Sequence, residues 1–290
     1  MITVMGATGH TGKRIVDSLL KAGEPVRALG RSAERLDALR RAGAEVLVGE
    51  PNDGAYLTEA FRGAEAIYSL LPYDPSVSDY LGQQAAVGEA IVQAIQGSGV
   101  RRVVALSSVG AELATGNGPI ASMHAQERRL RALPGIDLLI LRAGAFFENL
   151  LPALELIEQH GLVADGMGAD MQLPMIASKD IADAASAALL DPSWHGLQIR
   201  ELLGQRDISY GEATRILGER LGRPDLPYVQ LPYGEMAGIL QEAGFSADLA
   251  GLYAELARGI NEGLVKSLEG RRPANTTATS FEAFVAEMVS

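Results

Sequence analysis

The sequence predicts an α/β fold: a doubly wound parallel sheet with helices on both faces, followed by a smaller, mostly helical C-terminal lobe. Three observations support this. Up to Glu148, short apolar runs alternate with amphipathic helical stretches, which is typical of repeated βαβ units. A glycine-rich turn joins the first apolar run to the first helical stretch. After Glu148 the alternation ends, so we expect a first domain over residues 1–150 and a second lobe over residues 151–290.

Six short segments in the first domain are predicted as strands. Each is nearly continuously apolar, as strands buried on both faces of a sheet must be. They are Ile2 to Met5, Pro25 to Leu29, Glu45 to Val48, Ala66 to Leu71, Arg102 to Leu106 and Asp137 to Leu141.

Helices are predicted between these strands, where apolar residues recur at helical spacing. They are Lys13 to Ala22, Ala33 to Ala42, Tyr56 to Phe61, Asp79 to Gln96 and Ile120 to Leu133. Gly23, Gly43 and Gly97 follow three of them. Because a left-handed residue commonly closes a helix, these glycines are predicted to lie at helix ends.

The C-terminal lobe is expected to bind substrate or to cover it, and to be partly interleaved with the sheet. Its predicted elements are a helix Leu150 to His160, a glycine-rich stretch Gly161 to Gly168, a helix Lys179 to Leu190, a strand Leu197 to Leu203, a helix Tyr210 to Leu221 and mostly helix thereafter. Several large residues suit a flat aromatic ligand, although such residues more commonly form plain core. They are Met167, Met171, Met175, Trp194, Tyr228, Tyr233 and Met236.

The composition indicates an acidic globular protein. The chain has 290 residues, 47% of them hydrophobic, and its formal net charge is -11. Duplex binding needs a broad basic face, so nucleic acid is excluded as a general partner. Zero cysteines exclude disulfides and thiolate zinc sites, and the scattered histidines predict that no metal is bound. No basic leader and no run of about 18 apolar residues occur, so we expect a cytoplasmic protein without a membrane partner.

The glycine-rich turn carries the main functional signal. It contains three glycines at every third residue, in the sequence Gly6-Ala7-Thr8-Gly9-His10-Thr11-Gly12. The first glycine permits a tight turn, the second lets the backbone approach a pyrophosphate, and the third lets the helix pack closely on the strand. The free N–H groups of the helix would hold the anion without a net positive charge. We therefore predict a Rossmann-type dinucleotide site formed by this turn; the alternative is a tight structural turn.

Arg31 indicates which dinucleotide is bound. The second strand is followed by Gly30-Arg31-Ser32, where an acidic residue would select a free ribose 2′-hydroxyl. A guanidinium pairs with a phosphate in two-point fashion, so NADP(H) is preferred over NAD(H), which remains the alternative. The alternative is that Arg31 only begins the next helix and lies in solvent.

Further cofactor contacts are expected where other strands end, because ligands bind at the carboxyl edge of such sheets. The candidates on the adenine-ribose side are Ser69, Leu70, Leu71 and Pro72, and the candidate at the nicotinamide ribose is Ser107. A serine at a strand end is also an ordinary cap. Phe146 and Phe147 are more typical of core.

Several segments together resemble the NmrA-like family of atypical short-chain dehydrogenases. They are the glycine turn, Arg31, Met123-His124-Ala125-Gln126-Glu127 and Leu141-Arg142-Ala143-Gly144-Ala145-Phe146-Phe147-Glu148-Asn149. The resemblance spans nearly the whole chain. It implies NADPH-dependent reduction of quinones, dyes or aromatic ethers, or dinucleotide sensing without turnover, and it allows a homodimer.

The chain departs from typical short-chain dehydrogenases, which use a Tyr-x-x-x-Lys pair to pass a proton to the substrate. No Tyr occurs between Tyr80 and Tyr210, and no Lys between Lys21 and Lys179. The lysine that several family reductases carry before the histidine is Met123 here. We therefore expect hydride transfer to a quinone-like or other conjugated small molecule that needs little acid assistance.

Three residues are candidates for the chemistry. His124 is a candidate proton donor or orienting group, since an imidazole titrates near neutral pH; the alternative is a histidine satisfied by nearby backbone. Asn149 and Tyr73 are candidates to position a substrate carbonyl. Glu127 and Glu148 are expected to brace backbone or Arg142. The competing function is a dinucleotide-responsive regulatory protein that binds a partner protein and performs no catalysis.

Overall fold

A computed structural model of the chain describes residues 1–288. The prediction of helix towards the C-terminus includes residues 289 and 290, which lie outside this range. The strands are β1 (Ile2–Val4), β2 (Val26–Gly30), β3 (Glu45–Val48), β4 (Ala66–Ser69), β5 (Arg102–Ser108), β6 (Asp137–Ala143), β7 (Ala145–Phe146), β8 (Val163–Asp165), β9 (Leu173–Ile176), β10 (Leu197–Leu202), β11 (Asp207–Ile208) and β12 (Tyr228–Gln230).

The α-helices follow the strands in regular alternation through the first part of the chain. They are α1 (His10–Lys21), α2 (Ala33–Arg41), α3 (Gly54–Phe61), α4 (Tyr80–Ser98), α5 (Ala121–Arg131), α6 (Pro152–His160), α7 (Ser178–Leu190), α8 (Tyr210–Arg220), α9 (Tyr233–Glu242), α10 (Ala247–Asn261) and α11 (Phe281–Met288). Short 3-10 turns cover Gly118–Ile120 and Phe147–Leu150.

The main sheet has seven strands in the order β10-β6-β5-β4-β1-β2-β3, all parallel. Ile2 of β1 lies opposite Val26 on one side and Ala66 on the other. The chain therefore changes direction across the sheet between β1 and β4, and a crevice opens there at the carboxyl ends of the strands. This confirms the predicted doubly wound α/β fold.

Two apolar layers hold the helices on this sheet. One layer joins α1, α2 and α7 to one face, with Ile15, Leu19 and Val104 fully buried. The other joins α3, α4 and α5 to the opposite face, with Ile91 and Val103 fully buried. Val103 and Val104 are neighbours on β5 that point to opposite faces, which explains why the predicted strands are continuously apolar.

The structure corrects some predicted boundaries. Helix α1 begins at His10 and not at Lys13, because Gly9 is already its N-cap residue. The closing glycine of α4 is Gly99, in the left-handed region at φ 78°, and not Gly97. Gly97 lies inside α4, and a Cβ there would lie 3.0 Å from Thr58 Cγ2. The absence of a side chain at Gly97 therefore allows α4 to pack closely against α3. Gly23 and Gly43 follow helix ends with positive φ, as predicted.

The second part of the chain contains more strand than predicted. The glycine-rich stretch from residue 161 includes β8, which pairs with β12, and β9 pairs with β7 and β11. A third apolar cluster joins these strands to α8, α10 and α11. However, β10 completes the main sheet beside β6, and α7 packs on the face that carries α1. The second part is thus interleaved with the sheet, while a domain boundary at residue 150 stays a prediction.

Within residues 1–288, none of the helices combines the length and apolar character needed to cross a lipid bilayer.

Candidate functional site

The glycine turn lies at the crevice between β1 and β4. Gly6 has a φ of 60°, and the turn is tied to the neighbouring strands because Met5 N–H donates to Tyr68 O and Ala7 N–H donates to Leu29 O, both at 3.0 Å. A Cβ on Gly12 would lie 2.2 Å from the Gly6 carbonyl oxygen. Only glycine therefore allows α1 to approach β1 this closely, as predicted for the third glycine.

The start of α1 offers free hydrogen-bond donors. Gly9, the N-cap residue, provides no side-chain cap, and the first intrahelical bond runs from Lys13 N–H to Gly9 O at 3.1 Å. The N–H groups of His10, Thr11 and Gly12 precede that bond and point out of the helix end. Together with the helix dipole they favour an anion.

The side chains of two predicted cofactor residues are buried and face away from a ligand in the cleft. Ala7 is fully buried, and its N–H is taken by Leu29 O. Thr11 is buried, and its hydroxyl accepts a hydrogen bond from Tyr68 at 3.0 Å. Only the backbone of Thr11 remains for a ligand.

A cleft of about 390 Å³ lies beside the turn. It is lined by Thr8, Gly9, His10, Lys13, Arg14, Asp17 and Arg35. Arg35 donates from Nη2 to Thr8 O at 3.1 Å, while Arg14 is engaged by Asp183 at 2.7 Å. Arg35 was missed in the sequence, where nothing local marks its contact with Thr8.

Arg31 lies at the mouth of the crevice with its side chain half exposed. Its Nη1 is 3.6 Å from Asp74 Oδ2, which holds the guanidinium near the loop after β4. Ser32, the next residue, caps α2 by accepting from Arg35 N–H. Arg35 thus lies against the turn, while Arg31 lies between the end of β2 and the loop after β4; a role for Arg31 at an adenosine 2′-phosphate stays a prediction.

We expect Arg31→Ala and Arg35→Ala each to weaken NADPH binding by about 1.5–3 kcal/mol, the scale of a hydrogen bond to a charged group. NADH binding should change little, because it lacks the phosphate. Titration calorimetry with both cofactors measures the difference. Arg40→Ala is the matched control, since Arg40 lies on α2 with Arg35 but pairs with Asp37. Equal losses for NADPH and NADH would contradict the assignment.

The loop after β4 approaches the turn from the other side. Leu70 Cδ2 would lie 2.9 Å from a Cβ on Gly6, so its side chain covers this glycine. Ser69 is buried, and Pro72 O accepts a hydrogen bond from Gln84 Nε2 at 2.8 Å. Leu71 lies between them, partly exposed. Contacts from Ser69, Leu70, Leu71 and Pro72 to the adenine ribose stay predictions.

Ser107 belongs to a buried polar cluster at the ends of β5 and β6. Its hydroxyl donates to Glu127 Oε1 at 2.6 Å, and Arg142 donates to both oxygens of Glu127 at 2.9 and 2.7 Å. Glu112 accepts from the same guanidinium at 3.3 Å. Glu127 therefore braces Arg142, as expected, and its hydrogen bond raises the pKa of Arg142. The ribose contact of Ser107 stays a prediction.

His124 lies one helical turn before Glu127 on α5. Its Nδ1 is 2.9 Å from the carbonyl oxygen of Ala111. A carbonyl accepts only, so Nδ1 carries the proton and Nε2 is left to accept or donate one. The backbone contact expected for a histidine without a catalytic role is thus present, and it fixes the orientation of the imidazole ring.

Tyr73 and Asn149 occupy different parts of the site. Tyr73 is 46% exposed and its hydroxyl accepts from Tyr253 at 3.3 Å. Partial burial, with Tyr253 beside it, raises the pKa of Tyr73, so the phenol stays protonated at neutral pH. Asn149 is exposed in the turn after β7. Within residues 1–288, no hydrogen bond or ring contact joins His124, Tyr73 and Asn149 to one another.

Glu148 has a structural role. Both of its carboxylate oxygens accept from the N–H of Ser178 at 3.1 Å, at the first residue of α7. This contact caps α7 and fixes the turn that carries Asn149. The expectation that Glu148 braces backbone is confirmed.

No cluster of three or more potential metal-ligating residues occurs in the described part of the chain. The absence of a bound metal stays a prediction.

Known proteins similar to this chain include reductases. Quinone oxidoreductase 2 of Escherichia coli (strain K12) is 26% identical over 265 residues, 91% of this chain and 89% of that protein. The (4-alkanoyl-5-oxo-2,5-dihydrofuran-3-yl)methyl phosphate reductase of Streptomyces griseus is 30% identical over 272 residues, 94% of this chain and 87% of that protein. The crystal structure of the NADPH-dependent quinone oxidoreductase QOR2 of Escherichia coli complexed with NADPH covers 100% of both chains with a TM-score of 0.85 and 23% identity.

The sequence model of the NmrA-like family matches residues 1–262. This match covers the main sheet, the glycine turn and the segments on which the resemblance was based. The chain therefore belongs to the NmrA-like family.

Proposed function

We propose that the chain is an NADPH-dependent oxidoreductase that transfers hydride to a quinone-like or other conjugated small molecule. The observation that carries this proposal is the crevice in which the free N–H groups of α1 follow the glycine turn, with the Arg35 guanidinium on Thr8 of that turn and Arg31 at the end of the neighbouring strand β2. The named relatives, which are reductases, support the same conclusion.

The residues present fit a dinucleotide phosphate. A Cβ on Gly9 would have only Gly6 O within 4 Å, so the turn is open at Gly9, where the free N–H groups of α1 begin and where Arg35 donates to Thr8 O. Bound NADPH supplies a hydride. Among this chain's own groups, Nε2 of His124 would hold or move the proton, while Tyr73 and Asn149 would orient an acceptor oxygen. A quinone is a strong electrophile, so hydride transfer to it needs little acid assistance from the protein.

The test is a panel of neutral quinones and dyes with purified protein and NADPH. We expect acceptor-dependent loss of the absorbance of reduced nicotinamide for at least one acceptor. If calorimetry shows NADPH binding but no acceptor is reduced, the chain is instead a dinucleotide-responsive regulatory protein. A homodimer and a cytoplasmic location stay predictions.

The role of His124 is tested in the same panel with His124→Asn. The asparagine amide can place an N–H where Nδ1 donates to Ala111 O, but it has no counterpart of Nε2. A rate lowered on the order of 100-fold, with unchanged NADPH affinity, would assign proton handling to Nε2. An unchanged rate would mean that His124 has only a structural role.

A further inference from the structure

An ion pair joins the two loops on either side of the glycine turn. The strand order β4-β1-β2 places β1 in the middle, and the turn begins just after β1. Arg31 directly follows β2, whereas Asp74 lies in the loop after β4. Their Nη1 and Oδ2 atoms are 3.6 Å apart. Because neighbouring strands are about 4.8 Å apart, this contact crosses from one side of β1 to the other.

The Asp74 carboxylate is held in place by its own loop. Its Oδ1 accepts hydrogen bonds from the hydroxyl and the N–H of Ser76, at 2.8 and 3.1 Å. These hydrogen bonds lower the pKa of Asp74, so the carboxylate is ionised at neutral pH. Its Oδ2 faces Arg31. The guanidinium therefore lies beside a fixed negative charge.

The Arg31 side of this pair is loose. A guanidinium that donates to a carboxylate normally lies about 2.7–2.9 Å from it, and Arg14 reaches Asp183 with two nitrogens at 2.7 Å. The Arg31 contact is longer, its side chain is 51% exposed, and within residues 1–288 Asp74 is its only ionic partner. Exposed pairs of this kind contribute little stability. Arg31 can therefore leave Asp74 for a stronger anion.

The 2′-phosphate of NADP(H) is such an anion. A phosphate monoester carries about −1.5 to −2 charges at pH 7 and pairs with a guanidinium at two points. A phosphate paired with Arg31 in this position would lie about 6–8 Å from the Asp74 carboxylate, within the screening length of about 10 Å at 0.1 M salt. The two anions therefore repel each other and compete for one cation. NAD(H) meets no such competition, because its 2′-hydroxyl is neutral.

We propose that Asp74 is a specificity-determining residue, which competes with the 2′-phosphate for Arg31 and so limits the preference for NADP(H) over NAD(H). With NAD(H) the ion pair stays closed, whereas with NADP(H) Arg31 exchanges the carboxylate for the phosphate. Arg35 has no such competitor, because none of the ion pairs within residues 1–288 includes it and its Nη2 donates to Thr8 O. This inference rests on the proposed function, because it concerns the cofactor of the same site.

The test measures the binding of NADP⁺ and NAD⁺, which differ only in the 2′-phosphate, by titration calorimetry. For Asp74→Asn we expect the Kd of NADP⁺ to fall about three- to tenfold at low salt, while the Kd of NAD⁺ stays within about twofold. The gain should shrink at about 1 M salt, where charges are screened beyond about 3 Å. Asparagine retains an oxygen for both donors of Ser76, so only the charge is removed.

A second measurement links the effect to Arg31. In the Asp74→Asn background, Arg31→Ala should reduce NADP⁺ affinity by a larger factor than in the wild type, because the guanidinium no longer has a competing partner. Arg35→Ala should reduce it by the same factor in both backgrounds. Asp37→Asn is the matched control, since Asp37 pairs with the exposed Arg40 and its loss should leave both affinities within about twofold.

Unchanged or weaker NADP⁺ binding by Asp74→Asn, or an equal gain for both cofactors, would overturn the inference. Additive effects of Asp74→Asn and Arg31→Ala would do the same. A selective gain for NADP⁺ without reduction of any acceptor would support the inference and count against the proposed function alone. If the wild type binds neither cofactor, the proposed function and this inference are both rejected.

Discussion

Arg142→Met should lower the free energy of unfolding by about 3–5 kcal/mol, because it leaves buried carboxylates without their cation. The side chains of Arg142 and Glu127 are only 8% and 5% exposed, and two strong hydrogen bonds join them. Glu112, whose Oε2 lies 3.3 Å from Arg142 Nη1, loses the same partner. Denaturant unfolding monitored by circular dichroism measures the change.

The control for this prediction is Arg215→Met on α8. Arg215 pairs with Glu219, but both side chains are more than half exposed, so the loss should be about 0.5 kcal/mol or less. The double variant Arg142→Met with Glu127→Gln removes the uncompensated charge and should recover part of the stability. If Arg142→Met and Arg215→Met cost the same, the buried cluster does not stabilise the fold as described.

Gly12→Ala should reduce NADPH affinity on the order of 100-fold, which corresponds to about 2.7 kcal/mol. The new Cβ would lie 2.2 Å from Gly6 O and 2.7 Å from Gly6 C, and both atoms are backbone. Helix α1 must move away from the turn, which separates the N–H donors from the position of the pyrophosphate. Overpacking of this kind should also lower stability by about 1–3 kcal/mol. Calorimetry with NADPH and thermal unfolding measure the two effects.

Gly238→Ala is the matched control for that change. Gly238 also lies inside a helix, α9, but a Cβ there would meet nothing within 4 Å. Alanine should be neutral or slightly stabilising there, since glycine lowers helix stability. NADPH affinity retained in Gly12→Ala would mean that the turn is structural and that the dinucleotide binds elsewhere.

The parts of the site that were predictable from sequence depend on local sterics. The glycine turn is one such part, because the need for glycine at positions 6 and 12 arises within a few residues of chain. Arg31 is another, since it directly follows a strand end. Arg35 was missed because its contact with Thr8 depends on the direction of α2 relative to the turn.

The remaining parts depend on contacts between distant segments. The hydrogen bond from the Ser107 hydroxyl to Glu127 is one such contact, because a buried carboxylate is satisfied by donors from other segments, while the expected ribose contact of Ser107 stays a prediction. Gly97 was misassigned because its contact with Thr58 belongs to the packing of α4 on α3 and has no local signature.

The position of β10 has a consequence for biosynthesis. Strand β6, with Leu138, Leu139, Ile140 and Leu141 buried, leaves the ribosome well before the segment that pairs with its outer side. At about 5–20 residues per second, the nascent chain carries an uncovered apolar strand for several seconds. Unpaired strands of this kind associate readily with one another. Slow translation between β6 and β10 would therefore favour co-aggregation of neighbouring chains on one messenger, and chaperone demand should be greatest during this interval.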